Sequence, residues 1–411
     1  MSSGGERSAV PDVLAPAMLG PVRLRNRVIK AATYEGRSRD GLVTDELIEF
    51  HRAPAAGGVG MTTVAFCAVS AEGRTDRHQL YWRREALPGL RRLTDAVHAE
   101  GAAVSAQLGH AGPVANPGGT GVRALAPGRF PHPMTMRLTR AATAEDLRRV
   151  VRAHAEAAVM AAESGFDAVE IHCGHNYLVS SFLSPRLNRR DDRYGGSLAG
   201  RARLLREVAN AVRDAVGDRI AILLKLNMDD GVRGGFWLDE AIPVARWLEQ
   251  DGSVDAIELT EGSSLLNPMY LFRGPAPIDE FAGAMSGAVR WGVRLFGRYL
   301  LRSYPYEDAY LLADARQVRQ QVDLPLVLLG GVTGKPVMDL AMREGFAFVA
   351  AARALLREPD LVNTIAEGGR ETSLCIHCNK CMPTIYSATR CVLATPPAGY
   401  SSDTEQSPRL V

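Results

Sequence analysis

No run of about 18 or more apolar residues occurs in this 411-residue sequence, so it offers no helix of the length and apolarity that crosses a membrane. The opening residues, MSSGGERSAVPD, lack the apolar core of a secretory signal, and a cytoplasmic location is the expectation. Net charge is scarce too: 48 Lys+Arg against 46 Asp+Glu leave +2, which gives no electrostatic case for nucleic acid. Cysteine is sparse, six in all, and four of the six crowd between Cys375 and Cys391. That clustering fits a metal site in a reducing compartment better than a disulfide framework. No glycine fingerprint follows the first apolar run, which counts against a doubly wound dinucleotide fold.

What is present is apolar material for a large core, 46% of residues, arranged in eight short runs. These are Arg27–Ala32, Val59–Phe66, Ala103–Leu108, Ala168–Ile171, Ile220–Leu226, Ala256–Leu259, Leu326–Leu329 and Phe346–Ala351. Helix-spaced stretches separate them, such as Glu145–Glu163, and Thr143-Ala144-Glu145-Asp146 supplies a threonine N-cap with acidic residues in the first turn. Strand and helix alternating eight times predict an α/β chain folded as a (β/α)8 TIM barrel over residues 12–365. Residues 1–11 and 396–411 are expected to be disordered. A long insertion, about 268–310, separates strands six and seven, and a cysteine-rich tail spans 366–395. Within the insertion, Val289, Trp291, Val293, Leu295, Phe296, Leu300 and Leu301 lie among arginines. A lid or a contact between copies of the chain, as in a homo-oligomer, is the preferred reading; a basic amphipathic helix meeting a membrane or acyl substrate is the alternative.

Chemistry gathers where the apolar runs end. The fourth run passes into His172, Cys173, Gly174, His175, Asn176 and Tyr177, which puts two imidazoles and a phenol at the functional end of a parallel sheet. The third ends in Gln107, and the fifth holds Lys225, a cation that burial penalises unless it meets a negative partner. Gly330 and Gly331 follow the seventh run, and Ala352 and Arg353 the eighth, the two places where barrels frequently hold phosphate. In the tail, Cys375, Cys378 and Cys381 form C-x2-C-x2-C, with Cys391 after nine intervening residues. Such a set suits an iron–sulfur cluster or zinc, or remains as free thiols. The H-x-x-H pair could itself ligate a metal with Glu170 and Glu258, but it lies at a strand end and lacks a third ligand of diagnostic spacing.

The stretch GFDAVEIHCGHNYLVSSFLSPRLNRRDDRYGGSLAGR, Gly165 to Arg201, resembles the Old Yellow Enzyme family of FMN-dependent ene-reductases. The resemblance rests on Glu170-Ile171-His172, His175, Tyr177-Leu178, Phe182-Leu183-Ser184-Pro185, Asn188, Arg190, Asp192 and Tyr194-Gly195-Gly196-Ser197. It implies FMN as cofactor, NADH or NADPH as reductant, and a small unsaturated carbonyl compound as oxidant. The backbone of Ala31, Ala32, Ala65 and Phe66 would border the flavin ring, Thr33 would face its N5–O4 edge, and Gln107 would hold the pyrimidine edge. Lys225, where the family more often has Arg, would stabilise negative charge near N1 and O2. Gly330, Gly331, Ala352 and Arg353 would take the phosphate. His172 and His175 would bind the substrate carbonyl oxygen, and Tyr177 would protonate the α-carbon.

The tail resembles the cluster segment of the dienoyl-CoA reductase branch, with a shorter final spacing and without that branch's C-terminal nucleotide-binding domains; a 4Fe–4S cluster is the expectation, zinc the alternative. Two other activities fit the sequence: dehydrogenation of an amine or saturated carbonyl through a tail cluster, and a non-catalytic barrel with a zinc-binding interaction tail.

Overall fold

Eight parallel strands close into a barrel in the computed structural model, which describes residues 10–116, 121–132, 137–285 and 287–394. Residues 1–9 and 395–411, which contain most of the termini expected to be disordered, lie outside it. In chain order the strands are β1 (Ala17–Leu19), β2 (Val22–Leu24), β3 (Val28–Lys30), β4 (Met61–Ala68), β5 (Ala103–Gly109), β6 (Leu125–Ala126), β7 (Arg140–Ala141), β8 (Ala168–Cys173), β9 (Ala221–Asn227), β10 (Ala256–Thr260), β11 (Leu326–Leu328) and β12 (Phe348–Ala351). The barrel runs β3-β4-β5-β8-β9-β10-β11-β12 and closes on itself. Every apolar run read from the sequence supplies one of these strands, with ends displaced by at most two residues.

The remaining pairs were not anticipated. β1 and β2 form an antiparallel hairpin turned at Gly20 (φ 52°) and Pro21, and β6 pairs with β7 beside the barrel. Leu19 and Leu24 of the hairpin pack with Ile29, Met61, Leu223 and Phe348, which closes the barrel's lower end with hydrocarbon. Above that floor the inward residues turn polar, and the strands' C-terminal ends carry the site.

Helices cover the outside. Helix Ala144–Glu163 starts with the expected Thr143 cap, completed as a capping box by Asp146, whose carboxylate accepts from the Thr143 amide at 2.8 Å. Midway along it His154 is fully buried, with Nδ1 2.8 Å from the Val150 carbonyl and no partner for Nε2. Burial pushes this imidazole down to about 4. Because the unfolded imidazole titrates near 6.5, its stabilising contribution is complete above that pH and is lost as pH falls towards 4. His154→Leu should therefore flatten the dependence of unfolding free energy on pH between about 6 and 4; an unchanged slope in urea titrations would assign the acid sensitivity elsewhere.

The insertion contains helices Pro268–Phe272, Ile278–Ala284 and Gly287–Leu300. Described apolar side chains of the last, Trp291 and Leu295 among them, are exposed. The tail is woven into the fold: the Ser373 amide bonds the Thr333 carbonyl, Asn379 Nδ2 bonds the Arg273 carbonyl, and the Thr389 amide bonds the Glu35 carbonyl.

Candidate functional site

The two-residue period of a strand puts Gln107, Glu170, Lys225 and Glu258 on the inner face of β5, β8, β9 and β10. Register aligns Gln107 with Glu170 and Lys225 with Glu258. Gln107 Nε2 lies 2.5 Å from Glu170 Oε1, and Lys225 Nζ lies 3.0 and 3.2 Å from the two Glu170 oxygens while also bonding Glu258. All four are buried. Burial alone would lower the Lys225 ammonium; the two carboxylates outweigh it and hold it above its ordinary value. Glu258 is pushed up, chiefly by burial and then by Glu170. Lys225 is thus not the lone cation expected from its apolar strand. The same carboxylates are withdrawn from the imagined metal site, and among the described residues no three His, Cys, Asp or Glu converge to hold an ion.

One step higher stand His172, Asn227 and Thr260. The His172 ring lies 4.5 Å from that of Tyr177 and 5.3 Å from that of His175, and Phe66 meets Tyr177 edge-on at 5.2 Å. His175 Nε2 is 3.0 Å from Thr260 Oγ1, whereas His172 Nδ1 is buried without a protein partner. Burial keeps both imidazoles neutral, with His175 down to about 3, and the nearby Lys225 ammonium adds to the effect. Burial also pushes the Tyr177 phenol up to about 12.

This cluster sits on a strained corner. His175 and Asn176 have φ of 58° and 59°, a left-handed conformation that costs a non-glycine residue free energy. Buried hydrogen bonds hold it there. The His175 amide donates to Asn227 Oδ1 at 3.1 Å, Asn176 Nδ2 and Asn227 Nδ2 both donate to Asp230 Oδ1, and the Phe236 amide donates to Asp230 Oδ2. Sequence reasoning missed Asn176, Asn227, Asp230 and Thr260, although Asn227 and Thr260, as polar ends of buried runs, carried the same signal as His172.

Other predicted groups are already engaged. The Ala31 amide bonds the Ala351 carbonyl, and the Thr33 hydroxyl donates to the Ala31 carbonyl at 3.1 Å. A bulge between Val64 and Cys67 lifts Ala65 and Phe66 out of the ladder. There the Ala65 amide donates to Glu35 and the Phe66 carbonyl accepts from Gln79, so Phe66 offers the mouth a ring face instead of backbone hydrogen bonds. Gly330 and Gly331 have φ of 88° and 72°, and a Cβ on Gly331 would approach the Ala309 nitrogen to 2.5 Å. Ala352 precedes the short helix Arg353–Arg357. The Arg353 guanidinium bonds Asn379 and lies 5.6 Å over the Tyr306 ring, on the cysteine side.

An aromatic wall, an amide that donates and accepts, a buried cation and a glycine turn before a helix suit a flat heteroaromatic ring bearing a phosphate. The profile of the NADH:flavin oxidoreductase / NADH oxidase family matches residues 12–263. This chain belongs to that family. A 4,4'-dithiodibutanoate disulfide reductase of Rhodococcus erythropolis is 52% identical over 383 residues, covering 93% of this chain and 95% of its own. A metal reductase of Desulforamulus reducens is 34% identical over 370 residues, and its match spans 90% of this chain but 51% of that protein. In structure, an Old Yellow Enzyme homologue from Zymomonas mobilis superposes with a TM-score of 0.71 at 22% identity, over 90% of this chain and 96% of that one.

In this flavin oxidoreductase the four tail cysteines, Cys375, Cys378, Cys381 and Cys391, line one cavity with Arg353 and Arg357. All are free and partly buried. Burial raises Cys375 and pushes Cys381 up to about 12, with Arg353 acting in the opposite direction on both. His377 and Asn379 adopt positive φ within the cysteine segment, and His377 stacks on Tyr306 at 3.6 Å.

Proposed function

We propose that this flavin oxidoreductase uses NADH or NADPH to reduce the C=C bond of an electron-poor alkene, an enone or enoyl ester. The observation that carries the reading is the neutral His172–His175 pair beside a protonated Tyr177, above the Gln107–Glu170–Lys225–Glu258 layer. FMN, held by Gln107, Lys225 and the loops at Gly330–Gly331 and Ala352–Arg353, would supply hydride acceptance and donation. With Thr260 donating to His175 Nε2, the His175 Nδ1–H is left to donate to a substrate oxygen; His172 Nδ1, which has no protein partner, is the second contact. Together they stabilise charge that grows on that oxygen as the β-carbon takes hydride. Tyr177 then gives its proton to the α-carbon.

A second acceptor, an organic disulfide, is favoured by the 52% identical relative named for that activity. Hydride and one proton would convert RSSR to two thiols, with Tyr177 protonating the departing thiolate. Anaerobically reduced enzyme mixed with 2-cyclohexenone or with 4,4'-dithiodibutanoate separates the two. Faster reoxidation by the enone is the expected result. Faster reoxidation by the disulfide would replace the first reading with the second, and reoxidation by neither would remove both.

For the tail we propose a 4Fe–4S cluster. Four thiols line one cavity, and a C-x2-C-x2-C set with a fourth cysteine supplies the four thiolates that such a cluster takes. Cys378→Ala should lose most bound iron and keep FMN, whose proposed ligands all precede residue 354. Equal iron in variant and wild type, measured on protein purified without oxygen, would show that these thiols are not its ligands.

A further inference from the structure

Helix Gly287–Leu300, in the insertion after β10, carries two parallel rows of side chains at i, i+4, i+8 spacing. One row is Trp291, Leu295 and Tyr299, exposed by 64%, 63% and 63%, with Phe296 and Val289 extending the apolar surface. The other is Arg294 and Arg298, with Arg302 just beyond the end of the helix, all exposed, and residues 287–302 contain no Asp or Glu. The arginines lie along the aromatic rings: Arg294 is 5.9 Å from the Trp291 ring centre, and Arg298 is 4.9 Å from that of Tyr299 and bonds its hydroxyl. Gly297 is the buried side of the helix, set against Ile278 of the neighbouring helix.

We propose that this helix docks the enzyme on an anionic phospholipid surface, lying in the plane of the interface. An apolar row flanked by arginines, with Trp and Tyr at its margin, is the arrangement that inserts among headgroups while its cations meet lipid phosphates. Charge selects lipid over a second copy of the chain. A two-fold contact would set the arginine row against its own image. The carboxylates on the packed helix Ile278–Ala284 are Asp279 and Glu280, and Glu280 is already 2.8 Å from Lys380. The helix belongs to the connection leaving the C-terminal end of β10, where Thr260 meets His175. Earlier in the same connection, the Arg273 and Pro275 carbonyls accept from Asn379 of the cysteine segment.

The test is sedimentation of the full-length, FMN-loaded protein with vesicles of phosphatidylcholine alone or mixed with phosphatidylglycerol. Binding is expected only with phosphatidylglycerol and should weaken with added salt. Arg294→Gln and Arg298→Gln should each lower affinity roughly fivefold. Leu295→Asp should abolish binding while flavin absorption is retained, which shows that the fold survives. Equal binding to both vesicles, or none to either, overturns the proposal. So does a concentration-dependent dimer that Leu295→Asp dissociates in the absence of vesicle binding, which would assign the face to a second copy.

Discussion

Tyr177→Phe is expected to leave reduction by NAD(P)H nearly unchanged and to slow reoxidation by an enone roughly 10²–10⁴-fold. The substitution removes only a hydroxyl. The ring's edge contacts with His172 at 4.5 Å and Phe66 at 5.2 Å persist, so folding and FMN binding should too. Burial holds the phenol protonated far above neutral pH, so it is a ready donor throughout the working range. In the proposed mechanism, taking hydride from the nicotinamide requires no proton from this group, whereas completing the reduced alkene does. His175→Ala should instead weaken enone binding together with the rate, because it removes the proposed contact to the carbonyl oxygen. Anaerobic stopped flow on the separate half-reactions decides the matter: wild-type reoxidation by Tyr177→Phe would assign the proton to another group.

The second large effect is expected at Lys225. Lys225→Met leaves Glu170 and Glu258 facing each other in the buried layer without their cation, and breaking a buried pair in this way costs about 3–5 kcal/mol of stability. One carboxylate must then take a proton, so its folded-state pKa rises above its unfolded value. Such a group stabilises the fold below the unfolded pKa and loses that contribution as pH rises through the folded one. The variant should therefore be weaker at pH 8 than at pH 6, by more than the wild type is. Glu258→Gln added to Lys225→Met should recover part of the loss. Flavin bound to the single variant should have a lower reduction potential, since a fixed positive charge is gone. Unfolding curves that coincide with the wild type at both pH values would sink the assignment.

The barrel was legible in the sequence because parallel strands buried on both faces read as short unbroken apolar runs, and eight such runs are hard to arrange otherwise. His172, His175 and Tyr177 were legible for the opposite reason, as polar groups that end a buried run abruptly. The β1–β2 hairpin was not read, since each strand is three residues long, too short for periodicity, although Gly20-Pro21 marks its turn. The protein partners of Lys225 were not read because sequence shows that a buried cation needs an anion and not which strand supplies it. Glu170 and Glu258 were noticed together, but as metal ligands. Register, not spacing, brings them to the ammonium. Arg353 illustrates the same limit: its place after β12 was read correctly, but its reach to Asn379 depends on a tail packed from elsewhere.

The hydrocarbon floor has a kinetic meaning. With Leu19 and Leu24 packed across the lower end of the barrel, we expect reductant and oxidant to reach the site from the same upper rim. Each must vacate before the other enters, so either one in excess should inhibit by occupying the threshold out of turn. Initial-rate plots against the two substrates should accordingly run parallel rather than converge.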